Sequence, residues 1–140
     1  MKRDEDKVFW DLGCGTGKAL IVASLCGFSE ICGVELLETL CKVAKEIIEK
    51  YIKTNKGQLF KVICNNILKE DWVNADIVYI SSICFSDELM NDIIEKARGL
   101  RKGARVISLT QWEAKDFEVI YKKTLKMTWG KAQVFIMEKH

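Results

Sequence analysis

Three glycines at alternate positions, Gly13, Gly15 and Gly17, stand just behind an acid in the stretch Asp11-Leu12-Gly13-Cys14-Gly15-Thr16-Gly17. A backbone that turns directly from strand into helix must pass close to its ligand, and residues without a Cβ permit both the turn and the approach. The spacing narrows the ligand. A phosphate-cradling P-loop needs a glycine five residues before its Gly-Lys pair and a Ser or Thr after the lysine. Here Gly17-Lys18 has Leu12 at that distance and Ala19 behind it, so that reading fails. The dinucleotide fingerprint is GxGxxG, whereas this chain reads GxGxG preceded by Asp11. The pattern points to a nucleoside-bearing ligand, with a nicotinamide dinucleotide as the competing choice.

Glu35 supplies a second element. It closes an apolar run about 20 residues beyond the glycine loop, the spacing expected of an acid that accepts hydrogen bonds from ribose hydroxyls. Methyltransferases and NAD enzymes share this device, so Glu35 supports a nucleoside without choosing the cofactor. The (D/E)xGxGxG form resembles motif I of class I S-adenosylmethionine-dependent methyltransferases. That resemblance implies a pocket formed by Asp11, Gly13, Cys14, Gly15, Thr16 and Gly17, with Asp11 near the ammonium of the methionine part, and with Glu35 and Leu36 at the ribose. Asn65-Asn66-Ile67 follows a third apolar run and offers a polar edge and an apolar side to adenine; a plain turn, for which Asn is a normal choice, explains it equally. Ser81-Ser82-Ile83-Cys84-Phe85 follows a fourth run, where methyl donor and acceptor should meet. Ser81 and Ser82 could bond the acceptor and Phe85 could wall its channel. A serine nucleophile lacks a histidine base, since the one histidine is His140.

The elements that must position these residues follow from periodicity. Val8-Phe9-Trp10, Ile31-Cys32-Gly33-Val34, Leu59 to Cys64, Ala75 to Ile80 and Arg105 to Leu109 read as buried strands. Ala19 to Leu25, Leu36 to about Lys53 and a stretch opened by Asp87 read as helices, the second facing inward with Leu37, Leu40, Val43, Ala44, Ile47, Ile48 and Tyr51. Phe117 to Met127 and Lys131 to Glu138 read as two strands joined around Trp129-Gly130. Strand and helix thus alternate four times before a hairpin, which predicts a parallel sheet covered on both faces with an antiparallel addition at its edge. Ligands in such sheets sit beyond the carboxyl ends of the strands, near the topological switch point.

Composition sets the bounds. The 140 residues, 49% hydrophobic and 30% charged with a formal charge of +2, describe one globular α/β unit over residues 1–140. The charge gives no strong nucleic-acid signal. No apolar run reaches membrane-spanning length, and Met1 to Lys7 is too polar for a signal peptide. An intracellular protein, cytoplasmic or nuclear, is expected. The six cysteines are scattered, without a CxxC pair, so they read as structural thiols and no metal site is expected.

The order Val8 to Lys18, then Gly33-Val34-Glu35, then Asn65 to Trp72 resembles the non-SET histone-lysine methyltransferases, the disruptor-of-telomeric-silencing (Dot-one) family. Ile80 to Met90 is similar to that family's Asn-Asn-Phe-Ala-Phe region, and Leu125 to Gly130 to its late Ser-Trp turn. The resemblance implies a Rossmann-like class I methyltransferase with a mostly parallel seven-stranded sheet in the order 3-2-1-4-5-7-6, helices on both faces and a C-terminal antiparallel hairpin. It implies S-adenosyl-L-methionine as cofactor, S-adenosyl-L-homocysteine as product, and direct methyl displacement onto a lysine nitrogen of a protein, a histone or another lysine-bearing substrate. On the family pattern Asn66 replaces an acid facing adenine, Ile67 a Phe beside the ring, and Ser81 the first asparagine; Phe85 falls on an aromatic of the lysine channel. The family's helical N-terminal segment and lysine-rich tail are not matched, so cover for the cofactor site is expected from a partner subunit or from parent sequence. Two other readings remain open: a catalytically silent cofactor-binding subunit and an NAD-binding domain.

Overall fold

The computed structural model describes residues 6–54, 57–81 and 85–140. In chain order its elements are β1 (Val8–Leu12), α1 (Lys18–Leu25), β2 (Glu30–Glu35), α2 (Glu38–Ile52), β3 (Leu59–Cys64), a short 3-10 turn (Ile67–Lys69), β4 (Ile77–Ile80), α3 (Asp87–Ala97), β5 (Arg105–Ser108), β6 (Phe117–Met127) and β7 (Gly130–Lys139). The strands form one sheet in the order β3-β2-β1-β4-β5-β7-β6. β1 to β5 run parallel, and β7 lies antiparallel between β5 and β6. This is the order implied by the resemblance. The chain steps outward from β1 to β3, then returns to place β4 on the other side of β1, so the switch point lies between β1 and β4.

Alternation along β1 explains the two layers. Val8, Trp10 and Leu12 enter a core with Trp72, Trp112, Phe135, Met137 and the α3 residues Ile93 and Ala97. Phe9 faces the other way, into a core with Leu20 and Ala23 of α1 and Ile48 of α2. α3 is well begun: the Ser86 side chain accepts from the Leu89 N–H, and Asp87 and Glu88 occupy the first turn. Two expectations change. The connection from β3 to β4 contains only the 3-10 turn; it is pinned by fully buried Trp72, whose Nε1–H donates to the Ile67 carbonyl at 3.0 Å. α2 buries a stripe of mostly small residues, Cys41, Ala44 and Ile48, and leaves Leu37, Val43 and Ile47 partly exposed. Small residues there let the helix come close to the glycine loop, where a Cβ on Gly17 would lie 3.5 Å from Ala44 Cβ.

The second face is covered unevenly. α1 and α2 lie over β1, β2 and β3, while Ile77 and Tyr79 of β4 and Ile107 of β5 line an apolar groove of about 700 Å³ alongside Val22 and Cys26. No helix among the described residues is long and apolar enough to cross a membrane.

Candidate functional site

The carboxyl ends of β1 and β2 come together first. Asp11 of β1 pairs in register with Gly33 of β2 on one side and Tyr79 of β4 on the other. Just beyond, the N–H groups of Gly13 and Cys14 both donate to the Val34 carbonyl, at 2.8 and 2.9 Å. The chain reaches α1 through three left-handed glycines, Gly13 (φ 87), Gly15 (φ 56) and Gly17 (φ 90), a conformation that side chains with a Cβ resist. Cys14 turns inward and packs on Gly33, where an added Cβ would lie 2.8 Å from Cys14 Sγ and 2.9 Å from Leu20 Cδ1. Burial, with the charges of Asp11 and Glu35 adding to it, pushes the Cys14 thiol up to about 12, so it is a packing group and not a nucleophile. Thr16 is half-buried in the loop.

Two buried carboxylates flank this loop and differ in their partners. Glu35 accepts from the Gly15 N–H on Oε1 and from the Leu37 N–H on Oε2, both at 2.9 Å. It thereby ties the glycine loop to the start of α2. Asp11 is 2% exposed, and its Oδ1 has no hydrogen-bond partner among the described residues. Burial first, and the Glu35 charge second, push its carboxyl up from 3.8 to about 7. A group in this state gains from a cation placed beside it.

The space around the loop is shaped by neighbours. Over Gly15 nothing lies within 4 Å of an added Cβ, whereas Phe85 Cζ stands 3.1 Å from one at Gly13. Leu36 is 67% exposed next to Glu35. After β3, Asn65 is spent locally: its Nδ2 donates to Glu70 Oε1 and its Oδ1 accepts from the Asn66 N–H. Asn66 Oδ1 caps the 3-10 turn by accepting from the Leu68 N–H, and Ile67 is buried in the core with Trp72. After β4, exposed Ser81 hydrogen-bonds the Tyr79 phenol; burial, joined by the Asp11 charge, raises that phenol against the hydrogen bond. Ser82 lies outside the described residues.

Two contributors escaped the sequence reading. Gly33 reads there as one more apolar strand residue, although Cys14 and Leu20 need its missing Cβ. Tyr79 is hidden in a uniformly apolar run, and only the β1–β4 register sets it beside Asp11.

This geometry can be compared with known proteins. The sequence model of the family described as "Histone methylation protein DOT1" matches residues 1–134. A histone-lysine N-methyltransferase, H3 lysine-79 specific, from Gibberella zeae is 26% identical over 121 residues, 77% of this chain and 24% of its own. A protein-lysine N-methyltransferase from Saccharolobus islandicus is 28% identical over 120 residues, covering 82% of this chain and 71% of its own. The chain therefore spans about a quarter of the first relative and most of the second. The magnesium protoporphyrin IX methyltransferase of Synechocystis PCC 6803, solved with bound SAM, superposes over 96% of this chain and 71% of its own with a TM-score of 0.75 at 12% identity, a likeness of fold. The extent of the family match places this chain in the DOT1 family of histone methylation proteins, class I methyltransferases whose cofactor is S-adenosylmethionine.

Proposed function

We propose that the chain binds S-adenosylmethionine across the carboxyl ends of β1 to β4 and directs its methyl group to a lysine side chain of a protein. The observation that carries the reading is Asp11: a buried carboxylate whose Oδ1 has no partner among the described residues, next to a glycine loop with open space over Gly15. The residues present fit the cofactor. Asp11 would hold its ammonium. Glu35 has about two acceptor positions beyond those taken by the Gly15 and Leu37 amides, enough for two ribose hydroxyls. Leu36 would flank the nucleoside, Asn66 and Ile67 the adenine, and Asn65 would hold the turn that presents them.

The cofactor supplies a methyl group on a sulfonium, so a C–N bond forms as the C–S bond breaks and S-adenosylhomocysteine leaves. The chain's own task is alignment and exclusion of water. Phe85 walls the approach beside Gly13, and exposed Ser81 gives that wall a polar edge. A lysine entering such an apolar channel loses its proton more readily, because burial disfavours the ammonium. The choice of lysine rests on the two protein-lysine relatives and on Phe85.

Calorimetry tests the cofactor site. Wild type should bind S-adenosylmethionine, and Gly15→Arg should abolish binding, because it places a long side chain at φ 56 in the open space. Unchanged affinity in Gly15→Arg would remove the reading. Transfer of labelled methyl groups to lysate proteins, mapped to residues by mass spectrometry, tests the acceptor. Binding without transfer would favour the silent-subunit reading, and label on other nucleophiles would replace lysine.

A further inference from the structure

The hairpin β6–β7 runs past the sheet that holds it. β5 pairs with β7 only from Phe135 to Glu138, whereas β6 and β7 pair with each other out to Met127 and Gly130. Lys123 to Val134 is therefore a two-stranded ribbon beyond the sheet, with Lys122 at its base opposite Phe135. β6 runs in the direction of β5, since both are antiparallel to β7, so the ribbon tip points to the edge where β1, β2 and β4 end. The arm projects from the edge that carries the candidate site.

Its composition differs from the rest of the chain. Between Glu118 and Glu138 there is no Asp or Glu, and there are four lysines: Lys122, Lys123, Lys126 and Lys131. All four are exposed, and no carboxylate among the described residues forms an ion pair with them. Lys126 and Lys131 stand directly opposite each other, a like-charge pair that weakens a ribbon and that an anion laid across it would relieve. Strand alternation gathers Lys122, Lys126 and Lys131 on one face with Thr124 and Gln133, Lys122 lying over the Phe135 ring at the base, and places Tyr121, Lys123, Leu125 and Val134 on the other. Near the tip, Trp129 is 59% exposed. The small formal charge of +2 averages this arm with carboxylates elsewhere.

We propose that the ribbon is a nucleic-acid docking arm, with the lysine face on the phosphate backbone and Trp129 stacked on an unpaired base. Lysines separated by hydrogen-bonding side chains suit a phosphate track, and an exposed indole suits the face of any base. An acidic protein would engage the lysines and leave the tryptophan unused. This proposal goes beyond the methyl-transfer reading and does not depend on it.

The test is fluorescence anisotropy with a labelled single-stranded RNA of about 20 nucleotides and mixed sequence, titrated with the full chain across a range of salt. Three phosphate contacts predict a slope of log affinity on log salt of roughly −2. The triple variant Lys122→Gln, Lys126→Gln, Lys131→Gln should lose tenfold or more in affinity and most of that slope. Trp129→Ala should lose several-fold with the slope kept, because stacking releases no counterions. Circular dichroism and S-adenosylmethionine calorimetry on both variants should match wild type, which separates loss of the arm from loss of the fold or of the cofactor site. Absence of RNA binding at low salt, or a triple variant that binds as wild type does, overturns the proposal. Binding of polyglutamate more tightly than RNA, with Trp129→Ala unaffected, also overturns it and assigns the arm to an acidic protein.

Discussion

Asp11 and Glu35 lie near the carboxyl ends of adjacent strands, are both buried, and meet opposite fates. Glu35 gives each oxygen a backbone N–H, from Gly15 and Leu37, so its charge is compensated where it lies. Asp11 has an oxygen with no partner among the described residues and a carboxyl raised to about 7. One strand end is a finished structural joint. The other carries a cost when ionised that a cation or a hydrogen-bond donor would offset. Two carboxylates near one loop can thus divide the work, one shaping the binding backbone and the other waiting for a charged ligand.

The largest expected effect concerns the unfinished end. The unfolded chain ionises Asp11 near 3.8, while the folded chain keeps the proton until about 7. The penalty is therefore absent below the lower value, grows between the two and is complete above pH 7. It amounts to roughly 4 kcal/mol at most. Urea denaturation of the ligand-free protein should show wild type losing stability relative to Asp11→Asn as pH rises from 4 to 8. Parallel pH profiles would erase the contrast between the two acids. Over the same window cofactor affinity should tighten in wild type and stay flat in Asp11→Asn, because a bound ammonium favours the ionised carboxylate.

The joint between the strands comes next. Gly33→Val would drive its side chain into Cys14 and Leu20, an overpacking expected to cost about 3 kcal/mol. The denaturation midpoint reads this, and an unshifted midpoint would mean that the loop does not lean on β2. Glu35→Ala leaves the Gly15 and Leu37 amides without their acceptor, for a loss of about 2 kcal/mol. Cofactor affinity should fall more than tenfold as well, and hydrogen exchange at the Gly15 and Leu37 amides should quicken even without ligand. Normal protection at both amides would show that Glu35 does not hold the loop.

The end of β3 should respond least. Asn66 caps a short turn through Leu68, and Asn66→Ala should cost about 1 kcal/mol. Its effect on cofactor affinity should be small beside that of Glu35→Ala. A loss as large as that of Glu35→Ala would move adenine recognition onto this side chain.

Much of this arrangement was legible along the chain. Runs of buried strand separated by helical periods disclosed the layers, and β3 was read to its observed ends, Leu59–Cys64. The glycine loop was legible because left-handed turns leave little choice of residue. Tyr79 was not, since its meaning comes from a register with Asp11 68 positions away. Nor was the turn after β3, where Asn65 and Asn66 could equally have faced a ligand or closed on themselves.

Sequence by itself therefore determined the strand-and-loop grammar: an acid, three glycines, a second acid at nucleoside spacing, and the alternation that makes a parallel sheet. Those features are local, written in residue type and period. Tertiary structure decided which carboxylate is satisfied, which glycine is needed for contact and not for a turn, and where the lysine-bearing ribbon projects. Each depends on what distant segments bring within a few ångströms, and burial and Coulomb energies are fixed only at that range.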